Sequence, residues 1–252
     1  MVDYEKRRYA ILKEYFKNKN RYIYEKHIVS ILDDLKEMFD KHSVVMEQGT
    51  ILYRSQIGSE WVEENGNGQL LPYNKARMYP RKRLAREGRA NPKGIPYLYL
   101  ASDTETSLNE VRAWPGQEVS TCTFTSEKEL RLVDLSKKRE SGLASMVINI
   151  KKGKIMSKDS NDNLLGEINQ AFTTPVRNSD DSSDYVVTQI ISELIKTEGY
   201  DGIVYNSYFT KSGKNIVIFD SSNMIIKNGL VFRINAFNIE YEQISNAVRY
   251  KN

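Results

Sequence analysis

The sequence predicts an α+β fold, with an N-terminal helical segment followed by a mixed β core. Three observations carry this prediction. Apolar residues at helical spacing run through the first forty-odd positions, and neither Gly nor Pro interrupts them. From Gly49 onward the texture changes to short strand-like runs bounded by Gly, Pro and Asn. The helices that recur after that point stand between strands, and there is no internal repeat. The natural division is a helical extension over residues 1–47 and a main domain over 48–252, with a polar insertion at about 136–183.

In the first segment, Ile28, Ile31, Leu32, Leu35 and Phe39 follow the i, i+3, i+4, i+7 spacing of one buried helix face. Ile11, Leu12, Tyr15 and Phe16 form an earlier, shorter set, and Asn18-Lys19-Asn20 separates the two. Residues 1–45 hold ten basic and eight acidic residues, so their outer face is solvated rather than polycationic. Thr50 to Arg54 reads as a strand, and residues 59–95 as loops with short elements. Tyr97 to Ala101 is a further strand. Ser102-Asp103-Thr104 then supplies a helix N-cap, Leu108 and Val111 give that helix its apolar side, and Pro115-Gly116 is expected to stop it. Val119–Phe124 and Leu130–Leu135 are two more strands. Residues 136–183 are polar and read as loops and short helices. Asp184 is expected to cap a helix carrying Val187, Ile190, Ile191, Leu194 and Ile195, which Gly199 ends. Strands at Gly202–Tyr205 and Asn215–Phe219 flank the turn Lys211-Ser212-Gly213, and residues 224–234 read as a hairpin.

Composition excludes several chemistries. The 252 residues include 37 Lys plus Arg, 33 Asp plus Glu, two His and one Cys, for a net charge of +4. One Cys rules out a disulfide framework and any multi-Cys zinc or iron–sulfur site, and two His leave little for a His-based metal cage, so no metal is expected. No apolar run approaches the roughly 18 residues a membrane span requires. The N-terminal residues carry charge without an apolar stretch behind them, unlike a secretory signal. The expected address is the cytoplasm, with Cys122 a reduced thiol.

Familiar catalytic motifs are missing. Ser212-Gly213-Lys214-Asn215 looks like the end of a P-loop, but Tyr208 stands where the first Gly belongs and Asn215 replaces Ser or Thr. His27 and His42 sit in the charged helical segment and read as surface or packing residues. Cys122 lies in a strand pattern without a His nearby and reads as a buried thiol. Residues 75–93 hold eight Lys or Arg against one acid, Glu87. Such a block attracts polyanions, although the small net charge disfavours nucleic acid, and one or two of these arginines suffice for a phosphate-bearing small molecule. A lone helical Glu such as Glu110 is ordinarily a solvated residue.

The sequence around Glu110 is not ordinary. Three blocks together resemble the RES domain, the NAD-degrading toxin of bacterial Xre–RES pairs. They are Leu52-Tyr53-Arg54; then Asn91-Pro92-Lys93-Gly94, Tyr97 to Ala101 and Thr106 to Val111; then Thr188-Gln189, Gly199 to Ile203, Asn206-Ser207 and Gly213-Lys214-Asn215. The resemblance covers roughly residues 48 to 228. It implies a split mixed β core similar to ADP-ribosyltransferases, and cleavage of the nicotinamide–ribose bond of NAD, with inorganic phosphate as a co-substrate in some members. Carried over by position, Arg54, Glu110 and Ser207 are the family Arg, Glu and Ser. Tyr99 matches an active-site Tyr, with Tyr97 on the same strand face as the alternative. Tyr53, Asn91, Gln189 and Asn215 from the same blocks, and Arg89 from the basic run, complete the expected NAD-contacting set. Two departures stand out: Ser107 replaces a frequent Ala, and the N-terminal and 136–183 segments lengthen the chain.

Those residue types suit that chemistry. Nicotinamide leaves as a neutral amide and needs no strong acid, while the oxocarbenium-like transition state wants a nearby carboxylate. Arg54 can clamp a pyrophosphate, a Tyr face can pack on the nicotinamide ring, and Ser207 can donate to a phosphate or to the carboxamide. Three functions are therefore weighed. The leading one is an NAD glycohydrolase or phosphorylase, toxic to its host when unrestrained. The same site could instead transfer ADP-ribose to a protein. The third is a non-catalytic module that binds polyanions through residues 75–93. An antitoxin and a second copy of the chain are the expected protein partners, with the N-terminal helices as a docking element or a lid on the core.

Overall fold

A computed structural model describes residues 8–64, 67–136, 160–175 and 182–236. Its elements run α1 (Arg8–Asn18), α2 (Lys26–Lys41), β1 (Ser43–Met46), β2 (Ile51–Ile57), β3 (Glu60–Glu64), β4 (Asn67–Leu71), α3 (Lys75–Met78), β5 (Leu98–Ala101), α4 (Thr104–Glu110), β6 (Glu118–Ser126), β7 (Leu130–Asp134), α5 (Ser160–Thr173), α6 (Val186–Thr197), β8 (Gly202–Asn206), β9 (Lys214–Ile218) and β10 (Met224–Arg233). This is the α+β class, with helices leading into a large mixed sheet. No described helix is long and apolar enough to cross a membrane.

Eight strands form one sheet in the order β1-β7-β8-β9-β5-β2-β6-β10, and β3 pairs with β4 in a separate hairpin. Among the described strand pairs of this sheet, β7–β8 alone is parallel. A parallel pair needs a crossover, and α5 and α6 lie in the connection between its two strands. The same helices join α1 and α2 over one face of the sheet. Leu12, Phe16, Ile31, Leu35 and Phe39 meet Ile168, Phe172, Ile191, Ile195 and the sheet residues Ile203 and Val217 in one buried cluster. Each such side chain contributes about 1.5–3 kcal/mol on burial. The opposite face buries Leu52, Leu98, Phe124, Leu132 and Ile218 under Met78 and Met224.

Several elements differ from the sequence-based expectation. Residues 43–45 continue no helix. They begin edge strand β1, because pairing Ser43–Met46 with Leu130–Val133 satisfies backbone groups at the rim of the sheet. The polar 136–183 stretch contains the 14-residue helix α5, whose Leu164, Leu165, Ile168 and Phe172 are core residues rather than part of a peripheral insertion. Residues 137–159 and 176–181 lie outside the described residues. Asp184 does not cap α6: it sits in the short turn before the helix and forms an ion pair with Lys17 of α1. Arg112, whose φ of 51° is left-handed, follows the end of α4 before Pro115 is reached. Residues 224–233 are one strand with a bulge between Ile226 and Gly229, not a hairpin. The Asn228-Gly229 pair that suggests a turn serves the bulge, where a Cβ at 229 would press to 2.8 Å from Pro72 and 3.1 Å from Cys122 Sγ.

Candidate active site

The site begins where the sheet comes apart. β2 and β5 are joined in register at a single pair, Tyr53 opposite Ala101. Beyond it the strands part, and a side chain replaces the missing ladder bond: Arg54 Nη1 donates to the Tyr99 carbonyl at 3.1 Å. Arg54 as a residue is half-buried, but its Nε is sealed from solvent and has no hydrogen-bond partner. Burial lowers its guanidinium well below its ordinary value, to about 10. A buried cation with an unused donor is suited to an anion that brings acceptors.

On one face, a rung of side chains crosses the split. Tyr53 stands opposite Ala101, Ala101 opposite Asn215, and Asn215 opposite Tyr205. All four line a cleft of about 280 Å³, and α4 closes its roof with Ser107, Glu110 and Val111. The helix starts there because Asp103 caps it: one carboxylate oxygen accepts from Thr106 N–H at 2.7 Å and the other from the Thr106 hydroxyl at 2.8 Å. The helix is then docked by hydroxyls, Ser107 Oγ lying 2.5 Å from Ser55 Oγ and Ser55 Oγ 2.8 Å from Thr121 Oγ1. Ser107 therefore has a use that Ala could not supply.

Glu110 sits at the end of α4, and its carboxylate is held from two other elements. Ser207 Oγ donates to Oε1 at 2.8 Å, and Asn215 Nδ2 donates to the same oxygen at 2.7 Å. Oε2 takes neither bond. The Ser207 hydroxyl proton is committed to Glu110, and its oxygen accepts from Phe209 N–H at 3.2 Å, so Ser207 acts on the carboxylate instead of on a phosphate or carboxamide. The turn that presents it closes through Ser207 N–H to the Gly213 carbonyl at 2.9 Å. Gly213 must be glycine, since a Cβ there would collide with the Thr106 and Thr210 hydroxyls. The neighbouring Lys214 is engaged by Ser136 Oγ at 2.6 Å and Asp134 at 3.4 Å, as a structural lysine and unlike a P-loop lysine.

The remaining expected residues divide sharply. Tyr99 lines the cleft with its ring, but its hydroxyl donates to Asn91 Oδ1 at 2.7 Å and accepts from Ala90 N–H at 3.0 Å. Burial pushes that phenol well above its ordinary value, so it remains a neutral donor. Asn91 sends its Nδ2 to the carbonyls of Arg86, Pro92 and Ile95. Gln189 donates to the carbonyls of Gly88 and Asn91 at 2.9 and 3.2 Å. Arg89 donates to the Phe172 and Thr173 carbonyls at the end of α5. Asn91, Gln189 and Arg89 thus brace the loop beneath Tyr99, giving Asn91 Nδ2, Gln189 Nε2 and Arg89 Nη1 to protein carbonyls. Tyr97 is buried against Phe219 at 4.9 Å and stays outside the Glu110 cleft.

Tyr205 is a cleft residue that motif reading overlooks. The available signal is its place in β8 two residues before Ser207. Burial pushes its phenol far up, with Tyr99 adding to the push and Arg89 opposing it. Cys122 is free and buried, and burial pushes its thiol up, away from nucleophilic use. His27 packs edge-on to Tyr15 at 5.9 Å in the helical layer.

A second cleft, of about 500 Å³, meets the first at Arg54 and Tyr99. Arg77, Arg81 and Arg86 of the basic run line it, and no carboxylate does among the described residues.

The family model described as RES domain matches residues 71–228, well over half of the chain. Tyr99, Glu110, Ser207 and Asn215 fall within that span, and Arg54 is joined to it through the Tyr99 carbonyl. Among solved structures, a chain of the M. tuberculosis MbcT–MbcA toxin–antitoxin complex is similar at 13% identity and a TM-score of 0.42, over 80% of this chain and 94% of that one. No match is found among curated proteins.

Proposed function

This chain belongs to the RES domain family, and from that premise we propose that it consumes NAD by breaking the bond between nicotinamide and ribose. The observation that carries the reading is Glu110, fixed through Oε1 by Ser207 and Asn215 with Oε2 left over, in a cleft that also contains Arg54 and the rings of Tyr53 and Tyr99.

The chemistry follows from the charges. As the C1′–N1 bond breaks, its electron pair leaves with nicotinamide, which departs neutral and requires no proton. Positive charge grows on C1′ and the ring oxygen, and the Glu110 carboxylate stabilises it. Because Ser207 and Asn215 already orient that carboxylate, little reorganisation accompanies the charge development. Arg54 offers its positive charge, and the Nη2 donors that Tyr99 does not take, to the pyrophosphate. Tyr53 and Tyr99 supply ring faces for the nicotinamide. Water or inorganic phosphate then forms the new C1′–O bond and releases a proton.

The same reading makes the chain a toxin whose harm is NAD loss, restrained by an antitoxin that covers the cleft. Mass spectrometry of the products formed from NAD, with and without phosphate, tests the activity. Free nicotinamide with ADP-ribose, or with its 1″-phosphate, is the expected result. Label from NAD appearing on protein would instead make the chain a protein-modifying transferase, and intact NAD would end the proposal.

A further inference from the structure

The Glu110 cleft uses only part of what the split sheet offers. Across Arg54 lies the larger cleft of about 500 Å³, lined by four arginines, Arg54, Arg77, Arg81 and Arg86, with no carboxylate among its described lining residues. None of the ion pairs among the described residues involves Arg77, Arg81 or Arg86. Two of these arginines are nonetheless held in place. The Arg77 guanidinium lies 3.4 Å from the Tyr73 ring centre, and Arg81 Nε donates to the Ala76 carbonyl at 3.1 Å. The surrounding loop is braced from inside by Asn91 and Gln189. Uncompensated cations on a supported frame describe an anion site, and its charge states which anion.

A dinucleotide's pyrophosphate carries two negative charges, which Arg54 and one neighbour would balance. Two guanidinium charges then remain. A phosphate monoester carries about −1.5 to −2 at neutral pH, which matches that remainder. We propose that the arginine cleft receives a phosphate monoester on the adenosine side of the substrate, so that the enzyme prefers the phosphorylated dinucleotide, NADP, over NAD. This rests on the cleavage reading above and adds substrate selection to it. Arg81 and Arg86 are the selecting residues. Their backbone carbonyls accept from Leu84 N–H and Asn91 Nδ2, bonds that survive side-chain truncation. Both residues are exposed, and the one side-chain bond lost is that of Arg81 Nε to the Ala76 carbonyl.

The test measures kcat/KM for NADP and for NAD with the whole chain and with an Arg81→Ala, Arg86→Ala double variant. The expected result is a preference for NADP of about ten-fold or more, the effect of one charge-assisted contact, that collapses toward unity in the double variant. An unmodified protein with a ratio near one, or a ratio the double variant leaves intact, overturns the proposal while leaving NAD cleavage standing. If neither dinucleotide is cleaved, the cleavage reading has failed, and the cleft is judged by calorimetry alone. Tighter binding of ADP-ribose 2′-phosphate than of ADP-ribose, lost in the double variant, supports selection, and equal binding overturns it. Binding of a short RNA above either nucleotide, also lost in the double variant, makes the cleft a nucleic-acid contact and overturns it as well.

Discussion

The bracing around Tyr99 and the cradle around Glu110 are made of the same kinds of residue, yet they end differently. Asn91, Gln189, Arg89 and the Tyr99 hydroxyl give their hydrogen bonds to other parts of the protein. Glu110 keeps Oε2 outside its two bonds, and Arg54 keeps a sealed Nε with no partner. Saturated polar residues build, because burying them unpaired would cost about 1–3 kcal/mol each. Unsaturated ones are tolerated only where something else completes them, and that is the mark of a binding group.

The largest effect should come from breaking the unsaturated side at its centre. Glu110→Gln keeps one carbonyl oxygen for Ser207 and Asn215 but removes the negative charge. NAD turnover should fall by about 10²–10³, the usual effect of losing one electrostatic stabiliser, with the melting temperature little changed. A folded variant with full turnover would remove Glu110 from the mechanism.

On the saturated side the loss should appear as stability. Asn91→Ala strands the Tyr99 hydroxyl and three loop carbonyls inside a residue environment only 3% exposed. Unfolding in urea should show a loss of about 2–4 kcal/mol, several unmade bonds partly relieved by water. An Asn91→Ala protein as stable as the original, but unable to bind ADP-ribose, would move Asn91 into the binding set.

Arg54 sharpens the contrast because its two effects have opposite sign. Arg54→Met fills the same volume without a buried charge or an orphaned donor. It should lower NAD turnover by about 10²-fold while leaving the empty protein equally stable or more stable by about 1–2 kcal/mol. ADP-ribose should then raise the melting temperature of the original protein and not that of the variant. A marked loss of stability in the variant would reassign Arg54 to holding the split sheet together.

Local and periodic signals made much of this legible from sequence. Asp103 announced α4, the spacing of Ile28 to Phe39 announced α2, and the motif blocks assembled Arg54, Glu110, Ser207 and Asn215 before any contact was visible. What escaped was decided by tertiary partners. Strand β1 has four residues and no break before it, so only its pairing with β7 makes it a strand. The core residues of α5 are diluted in sequence by the Asn and Asp that precede and interrupt them. Asp184 had the look of a cap, but Lys17, which claims it, is far away in sequence. Asn91 and Gln189 stand in the resembling sequence blocks just as Glu110 does, and nothing local distinguishes a residue that holds the loop from one that meets a ligand.

The smallest predicted effect tests how the saturated frame delivers the unsaturated group. Asp103 starts the helix that carries Glu110. Its partial burial raises its carboxyl pKa, but bonds from Thr106 N–H, Ser102 and the Thr106 hydroxyl outweigh that and hold it below the ordinary 3.8. A carboxyl whose folded value is depressed stabilises the protein above its unfolded value and loses that contribution as pH falls through the folded one. Asn is an equally good cap without the titration. The stability gap between the original and Asp103→Asn should therefore be modest and constant, about 0.5–1 kcal/mol, from neutrality down to about pH 4, and should close below it. Urea midpoints at pH 7, 5 and 3 read this directly. A gap that persists or widens at pH 3 would mean that the charge of Asp103 does not hold α4, and that the hydroxyl chain through Ser107, Ser55 and Thr121 fixes Glu110 by itself.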